Sequence, residues 1–179
     1  MLLFYATRDG QARLIATKIA ATLGERNILA APHDLAQSLP TADQLESAPL
    51  LALVASVRYG RHLQEAEQLL ALHDTLKRPP PLALASVNLT ARKAGKDTAD
   101  GNAYLRKWIA RHRHKPAVAA AIAGRLDYPR YDWLDRQMIR LIMKMTGGPT
   151  DPRAQVEYTS WPAVVRFAEA IANLHDTLA

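Results

Sequence analysis

The 179-residue sequence contains no cysteine. Disulfides, thiolate metal sites and thiol nucleophiles are therefore excluded, and a redox role would need a bound cofactor. Long apolar runs are also missing, because the longest, around residues 49–57 and 117–123, are about half as long as a membrane span. Met1 leads directly into an apolar strand pattern, so we expect no signal peptide.

The two common glycine-rich nucleotide motifs are absent as well, since neither G-x-x-x-x-G-K-[ST] nor G-x-G-x-x-G occurs. Aromatic residues make up only 6% and no nucleic-acid-binding motif is present, so we expect no nucleic-acid partner. The six histidines form no i, i+4 pair beside acidic residues, so we expect no metal site. The formal net charge of +6 favours anionic partners.

The chain begins with an apolar strand pattern at residues 1–6, a polar loop at residues 7–11 and an amphipathic helix pattern from Ala12. Such a unit directs backbone N–H groups and the positive end of a helix dipole at one point, where a phosphate fits. Thr7 adds a hydroxyl and Gly10 allows close approach of a ligand. The loop favours a mononucleotide, and an ordinary strand-to-helix turn is the alternative.

Five predicted strands, at residues 1–6, 27–34, 49–56, 82–87 and 117–124, alternate with helices. This alternation predicts one α/β domain over residues 1–179, with a doubly wound parallel sheet in the flavodoxin-like order 2-1-3-4-5. The ligand is expected at the carboxyl ends of strands one, three and four. The loops at 7–12, 56–62 and 88–96 would converge there.

An insertion at about residues 125–152 interrupts this pattern in or after the fifth strand, and residues 132–146 form an amphipathic helix that Gly147 and Gly148 end. Ile139 and Met143 lie beside its basic row. The apolar stripe contains Leu134, Met138, Leu141, Ile142 and Met145. The basic row contains Arg136, Arg140 and Lys144. With Trp133 at its start, the helix is typical of an interfacial membrane helix or a surface for an apolar partner. The alternative is a helix docked on its own sheet with a solvated basic face.

With these motifs in place, the chain resembles, over essentially its whole length, the menaquinone-dependent protoporphyrinogen IX dehydrogenases, flavodoxin-like FMN proteins of bacterial haem biosynthesis. The insertion carries the most specific part of this similarity. The matching motifs are TRDGQ at 7–11, SVRYG at 56–60, SVNL at 86–89, ARK at 91–93, IAG at 122–124, YPRY at 128–131, DR at 135–136, IRLIMKM at 139–145 and GG at 147–148.

The resemblance implies an oxidoreductase acting on CH–CH groups that uses FMN. It would oxidise protoporphyrinogen IX by six electrons and pass them to a membrane quinone, menaquinone or ubiquinone. The implied location is peripheral, on an anionic surface at the cytoplasmic face of the bacterial inner membrane. The implied FMN-binding residues are Thr7, Arg8, Asp9, Gly10, Gln11, Ala12, Ser56, Val57, Arg58, Tyr59, Gly60, Ser86, Val87, Asn88 and Leu89. Ala12 departs from the family pattern, which has Thr or Ser there, so weaker FMN binding is expected.

Arg58 and Tyr59 are the candidate catalytic residues. Tyr59 would stack on the flavin ring, or be an ordinary loop aromatic. Arg58 would stabilise negative charge on the flavin or bind a propionate, or be a solvated loop arginine. His62, at a predicted helix start, is expected to be solvated, and a position facing the ligand crevice is the alternative. The candidates for propionate or lipid contact are Arg92, Lys93, Arg125, Arg130, Trp133, Arg136, Arg140 and Lys144.

Three other functions remain open at this stage. An NAD(P)H:quinone reductase would share the fold, although no feature marks a nicotinamide site. An electron-carrier flavodoxin would normally be acidic, whereas this chain is basic. A non-enzymatic membrane or nucleic-acid binder is compatible with the charge alone. The sequence also leaves the oligomeric state open, a homo-oligomer included.

Overall fold

The computed structural model describes residues 1–178, apart from the side chain of Thr146; Ala179, the end of the predicted domain, lies outside the described residues. Short 3-10 helices lie at Leu89–Arg92 and Tyr128–Arg130. The strands are β1 Leu2–Ala6, β2 Pro32–Asp34, β3 Leu51–Arg58, β4 Arg61–His62, β5 Leu82–Val87, β6 Val118–Ile122, β7 Arg125–Asp127 and β8 Gln155–Glu157. The helices are α1 Gln11–Gly24, α2 Ala42–Glu46, α3 Gln64–Thr75, α4 Ala103–Arg111, α5 Trp133–Thr146 and α6 Trp161–Leu178.

Five parallel strands form the main sheet in the order β2-β1-β3-β5-β6. Counting only these parallel strands, the order is the predicted 2-1-3-4-5, so the predicted fold class is confirmed. The central strands β3 and β5 are apolar almost throughout because both faces of the sheet are covered by helices. β5 spans the residues predicted for it, 82–87.

Two apolar clusters, one on each face of the sheet, form the core. One packs α1 and α6 against the sheet and includes Leu3, Ile15, Ile19, Phe167 and Ile171. The other packs α3 and α4 and includes Phe4, Leu53, Leu69, Leu105 and Trp108. Adjacent residues such as Leu3 and Phe4 point to opposite faces, as the two-residue period of a strand requires.

Several predicted boundaries are wrong for local reasons. β2 begins only at Pro32, because residues after α1 first turn through Asn27, whose φ of 59° is left-handed. β3 continues to Arg58 and then reverses through Tyr59 and Gly60, with φ of 51° and 77°, into β4. Two consecutive positive φ values are typical of a type I′ hairpin turn. Between β2 and β3, a capping box of Thr41 and Gln44 begins α2.

The inserted segment folds as a small unit at the carboxyl edge of the sheet. β7 pairs antiparallel with β8, and α5 lies between them in the chain, so the insertion covers residues 125–157. Its own cluster contains Leu126, Tyr128, Tyr131 and Met143. Gly147 ends α5 with a φ of 70°, and the Gly148 N–H donates to the Met143 carbonyl at 2.8 Å.

Candidate functional site

A cleft opens where the carboxyl ends of β1, β3 and β5 meet the inserted helix α5. All three predicted loops contribute to its wall, and α5 adds Met138, Ile139 and Ile142. The predicted cofactor-binding residues in the wall are Thr7, Arg8, Asp9, Gln11, Ser56, Val57, Arg58, Tyr59, Gly60, Val87, Asn88 and Leu89. Ala12 and Ser86 are fully buried behind it, and Gly10 caps α1 beside it.

The start of α1 has the chemistry of an anion site. Gly10 occupies the N-cap position with a φ of 87°, and the first turn of α1 contains no acidic residue. Within residues 1–178, no side chain caps these N–H groups, and a Cβ added at Gly10 would meet nothing within 4 Å. The Gly10 N–H donates to Thr7 Oγ1 at 3.0 Å, which fixes the hydroxyl at the loop. Backbone donors, the helix dipole and open space therefore fit the phosphate of FMN.

Gln11 does not direct its side chain at that phosphate position. Its Nε2 donates to Thr159 Oγ1 at 2.9 Å and to Glu157 Oε1 at 3.2 Å, so the side chain ties α1 to β8 and the residues after it. Only the backbone of Gln11 remains for an anion. Ala12 is completely buried in the first turn of α1, and the weaker FMN binding expected from its missing hydroxyl stays a prediction.

Arg58 and Tyr59 belong to an ionic cluster between the β3–β4 hairpin and α5. Both contact the carboxylate of Asp135, which is only 2% exposed. The Arg58 guanidinium also approaches Asp9 at 3.4 Å and lies 5.7 Å from the centre of the Tyr59 ring. Arg58 is therefore held by carboxylates, and its contact with a flavin or a propionate stays a prediction. Tyr59 is 54% exposed, and stacking of its ring on a flavin stays a prediction.

A buried polar network supports the loop after β5. Asn88 Nδ2 donates to Ser86 Oγ at 3.0 Å, and Asn102 Nδ2 donates to Asn88 Oδ1 at 3.1 Å. His62 Nε2 bonds Ser86 Oγ at 2.8 Å and its ring stacks on Trp108 at 3.6 Å. These bonds fix the backbone at the position where the Asn88 loop lines the cleft.

The expectation of a solvated His62 is therefore wrong. The residue is 6% exposed, and burial lowers its pKa from 6.5 to about 3, so the ring is neutral near pH 7. The sequence signal that could have shown this is its alternation with Arg61 in β4, because one residue of a paired strand faces inward.

The predicted basic contacts divide into separate groups. Arg125 lines the cleft, where it donates to Gln155 Oε1 at 2.9 Å and pairs with Asp127 at 3.3 Å. Arg92 donates to the Leu89 carbonyl at 2.7 Å, lies 5.6 Å from the centre of the Tyr158 ring and, with Lys93, lines a second cleft. Arg130 is exposed at the end of a 3-10 helix. Of Arg92, Lys93, Arg125 and Arg130, only Arg125 therefore lines the main cleft.

The helix α5 buries a different apolar arc from the predicted stripe. It docks through Met143, which is fully buried, and Ile139, which packs on the same cluster. The predicted stripe is exposed: Leu134 58%, Met138 39%, Leu141 59%, Ile142 41% and Met145 79%, with Trp133 at 71%. None of the helices within residues 1–178 is long and apolar enough to cross a membrane.

The basic row of α5 is also partly engaged. Arg136 Nη2 donates to the Tyr131 carbonyl at 3.1 Å, and Arg140 Nε donates to the Thr150 carbonyl at 3.0 Å. These two arginines thus brace the insertion, whereas Lys144 is exposed beside the apolar stripe. Within the described part of the chain, no three His, Asp or Glu side chains are grouped as metal ligands.

Comparison with known proteins agrees with this architecture. The model of a family described as "Flavodoxin domain" matches residues 2–153. The chain is 43% identical over 176 residues to a protoporphyrinogen IX dehydrogenase (quinone) of Escherichia coli strain K12, covering 98% of this chain and 96% of that protein. It is 38% identical to a Leishmania major protein of the same name, covering 97% and 74%, respectively. An oxidised flavodoxin 1 from Bacillus cereus superposes with a TM-score of 0.56 at 13% identity, over 96% of each chain.

Proposed function

We propose that this chain, which belongs to the flavodoxin-domain family of quinone-dependent protoporphyrinogen IX dehydrogenases, oxidises protoporphyrinogen IX to protoporphyrin IX with FMN and a quinone acceptor. The observation that carries this proposal is the 43% identity to a protein of that name over 98% of this chain. The match includes the insertion, which distinguishes the chain from a minimal flavodoxin-like sheet. The cleft between the sheet and this insertion is the proposed active site.

The chain holds FMN with two kinds of groups in this proposal. The uncapped start of α1, with Thr7 and Gly10, binds the phosphate through N–H donors and the helix dipole. The hairpin at Ser56–Gly60 and the Asn88 loop form the walls around the flavin ring. Bound FMN would supply a two-electron acceptor, and the quinone would reoxidise it after each of the three two-electron steps that the six-electron oxidation requires.

Positive side chains at the cleft orient the substrate and stabilise charge. Arg58 lies in the wall with its guanidinium fixed by Asp9 and by the buried carboxylate of Asp135, so it stabilises negative charge near the flavin without reorganising. Arg125 faces the same space and is the first candidate to bind a substrate propionate. The apolar side chains of Met138, Ile139 and Ile142 cover the macrocycle and exclude water.

The test is a titration of the purified protein with FMN, followed by an assay of porphyrin fluorescence. We expect a yellow protein whose cofactor has the absorbance and mass of FMN, and porphyrin formation that a quinone accelerates. Stopped-flow mixing with NADPH separates the quinone-reductase alternative, because rapid flavin reduction by NADPH without porphyrin formation would favour that activity. A purified protein that binds no FMN would contradict the proposed function.

We also propose that α5 attaches the protein peripherally to an anionic membrane, the cytoplasmic face of the bacterial inner membrane. Leu134, Leu141 and Met145 form an exposed apolar surface, with Lys144 beside it. An apolar helix face with an adjacent cation is typical of helices that lie in the lipid interface. Met138 and Ile142 belong both to this surface and to the cleft wall, so a quinone in the bilayer would lie close to the flavin.

Vesicle co-sedimentation tests this attachment. We expect binding to vesicles containing anionic lipid, weakened by salt, and lost in the double variant Leu134→Glu, Leu141→Glu. The matched control is Leu29→Glu, which adds charge at a residue that is 88% exposed far from α5 in the sequence. To test the charge of α5, only Lys144 is reversed. Arg136 and Arg140 are left unchanged, because their side chains donate hydrogen bonds that stabilise the insertion. Equal binding of all variants would rule out α5 as the lipid contact.

A further inference from the structure

Asp135 is a buried carboxylate at the junction of two parts of the chain. It lies in the first turn of α5 with 2% of its surface exposed, and its N–H donates to the N-cap oxygen of Asp132 at 2.8 Å. A carboxylate in such surroundings is stable only when it is paired and hydrogen-bonded. Its partners therefore define what this position does.

The partners come from the β3–β4 hairpin, 76 residues away in the chain in the case of Tyr59. The Arg58 guanidinium and the Tyr59 hydroxyl each contact one oxygen of the Asp135 carboxylate. Tyr59 occupies a left-handed conformation with a φ of 51°, which a non-glycine residue keeps only when its surroundings hold it. Both partners line the cleft, so the carboxylate fixes two side chains of its wall.

We propose that Asp135 is a positioning residue that couples the docking of α5 to the wall of the FMN cleft. One carboxylate holds Arg58 and Tyr59 in place and at the same time anchors the first turn of the inserted helix. A ligand that orders the hairpin then also stabilises the docked helix, and a contact that holds the helix tightens the cleft, because such coupling is reciprocal. This inference rests on the proposed function, since it takes FMN as the ligand of the cleft.

A buried ion pair with only a structural role would stabilise the fold equally with and without ligand. Coupling makes a different prediction: adding FMN slows amide exchange in α5, although the phosphate site at α1 is formed by a separate part of the chain. Met138, Ile139 and Ile142 also line the cleft, so direct contact with the ligand would give some protection. Asp135→Asn removes only the carboxylate charge, so it separates protection by coupling from protection by direct contact with the ligand.

The experiment compares hydrogen exchange in α5 with and without FMN in the wild-type chain, Asp135→Asn and Asp132→Asn. The last is a matched control, because it removes the same charge one turn earlier and Asn caps a helix as well as Asp. We expect FMN to slow exchange at residues 136–145 in the wild type and in Asp132→Asn, and to have little effect there in Asp135→Asn. The Kd for FMN should rise by about 5- to 100-fold in Asp135→Asn only.

The variant Tyr59→Phe provides a second route if Asp135→Asn folds poorly. Tyr59→Phe removes one donor to the Asp135 carboxylate and keeps the aromatic ring, so the FMN-dependent protection of α5 from exchange should fall partly. In the double variant Tyr59→Phe, Asp135→Asn, this protection should be no lower than in Asp135→Asn alone. Unchanged protection and Kd in both single variants would overturn the inference while leaving FMN binding intact. A wild-type chain that binds no FMN would instead overturn the proposed function and, with it, the coupling.

Discussion

The loop at residues 7–12 and the insertion at residues 125–157 face the same cleft but are held in place by different forces. The loop is set by the backbone: a strand in the middle of the sheet, a left-handed glycine and the start of α1. The insertion is set by side chains, chiefly Met143 in its small core and Asp135 at the hairpin. Single side-chain changes should therefore disturb the insertion more than the loop.

The difference separates a general site from a specific one. Backbone N–H groups at a helix start bind a phosphate whatever molecule carries it, and many sequences can form them. The insertion adds apolar cover, an exposed apolar face and a buried carboxylate, which depend on particular residues. The loop therefore indicates the cofactor class, and we propose that the insertion distinguishes the substrate and the acceptor.

The largest expected effect is the loss of the Met143 side chain. Met143 is fully buried in the core of the insertion, so Met143→Ala should destabilise the docked α5 by about 2–5 kcal/mol. Hydrogen exchange should show rapid exchange in α5 while the five-stranded sheet stays protected. The control Met138→Ala, at a residue 39% exposed, should change little. Similar exchange rates in α5 for the two variants would mean that the small core does not hold the helix.

Lowering the pH should destabilise the folded chain through His62, on the sheet side of the cleft. Its folded-state pKa is about 3 against 6.5 unfolded, because burial penalises the charged ring. Below pH 6.5 the unfolded chain binds a proton that the folded chain excludes until about pH 3. The free energy of unfolding should therefore fall with decreasing pH in this window, by up to about 1.4 kcal/mol per pH unit.

Urea unfolding between pH 7 and pH 4 measures this slope. In His62→Phe, which keeps an aromatic ring on Trp108, the slope should be shallower; a residual slope is expected from His73, whose pKa burial also lowers. His33→Phe is the control, because His33 is exposed. An unchanged slope in His62→Phe would contradict the assignment.

A backbone change at Gly10 should have an intermediate effect. Gly10→Ala places a Cβ at a φ of 87°, where an L-residue costs about 1–2 kcal/mol, although the space around it is open. We expect weaker FMN binding in a fluorescence titration because the loop shifts to relieve this cost. Gly24→Ala, at the end of the same helix and also in open space, should bind FMN as the wild type does. If both variants bind equally, the left-handed conformation is not needed for the site.

The smallest expected effect is a gain. Ala12→Ser adds one hydroxyl in the first turn of α1, where a hydrogen bond to a bound phosphate is worth about 0.5–1.5 kcal/mol. FMN binding should tighten by about 2- to 10-fold in the same titration. Ala16→Ser, one turn further and equally buried, should show no gain. A loss of affinity in Ala12→Ser would show that the buried hydroxyl disturbs the packing of α1 instead of reaching the phosphate.

Much of the sheet and the cleft could be predicted from local pattern. The apolar run at 82–87 forms β5 without any change of boundary, because a strand buried on both faces needs an uninterrupted apolar sequence. Asn102 caps α4 with its side chain, a local signal for the start of a helix. The three loops meet because parallel strands bring their carboxyl ends to one edge.

Other features depended on contacts that local pattern does not encode. The α5 sequence has two apolar arcs, and its periodicity cannot tell which arc is buried; docking through Ile139 and Met143 decides this. The burial of His62 depends on a hairpin turn at Tyr59 and Gly60, within the segment predicted as a loop at 56–62.

The sequence by itself determined the class of the protein: a parallel α/β sheet, a strand–loop–helix start without the usual glycine motifs, and a cysteine-free chain that needs a bound cofactor for redox chemistry. These properties follow from residue type and from periods of two and 3.6 residues, which are local. Only the tertiary structure brought Asp135 to Arg58 and Tyr59, and tied the Gln11 side chain to Thr159. Such contacts join residues far apart in the chain, and their free energy depends on burial, which exists only once the chain has folded.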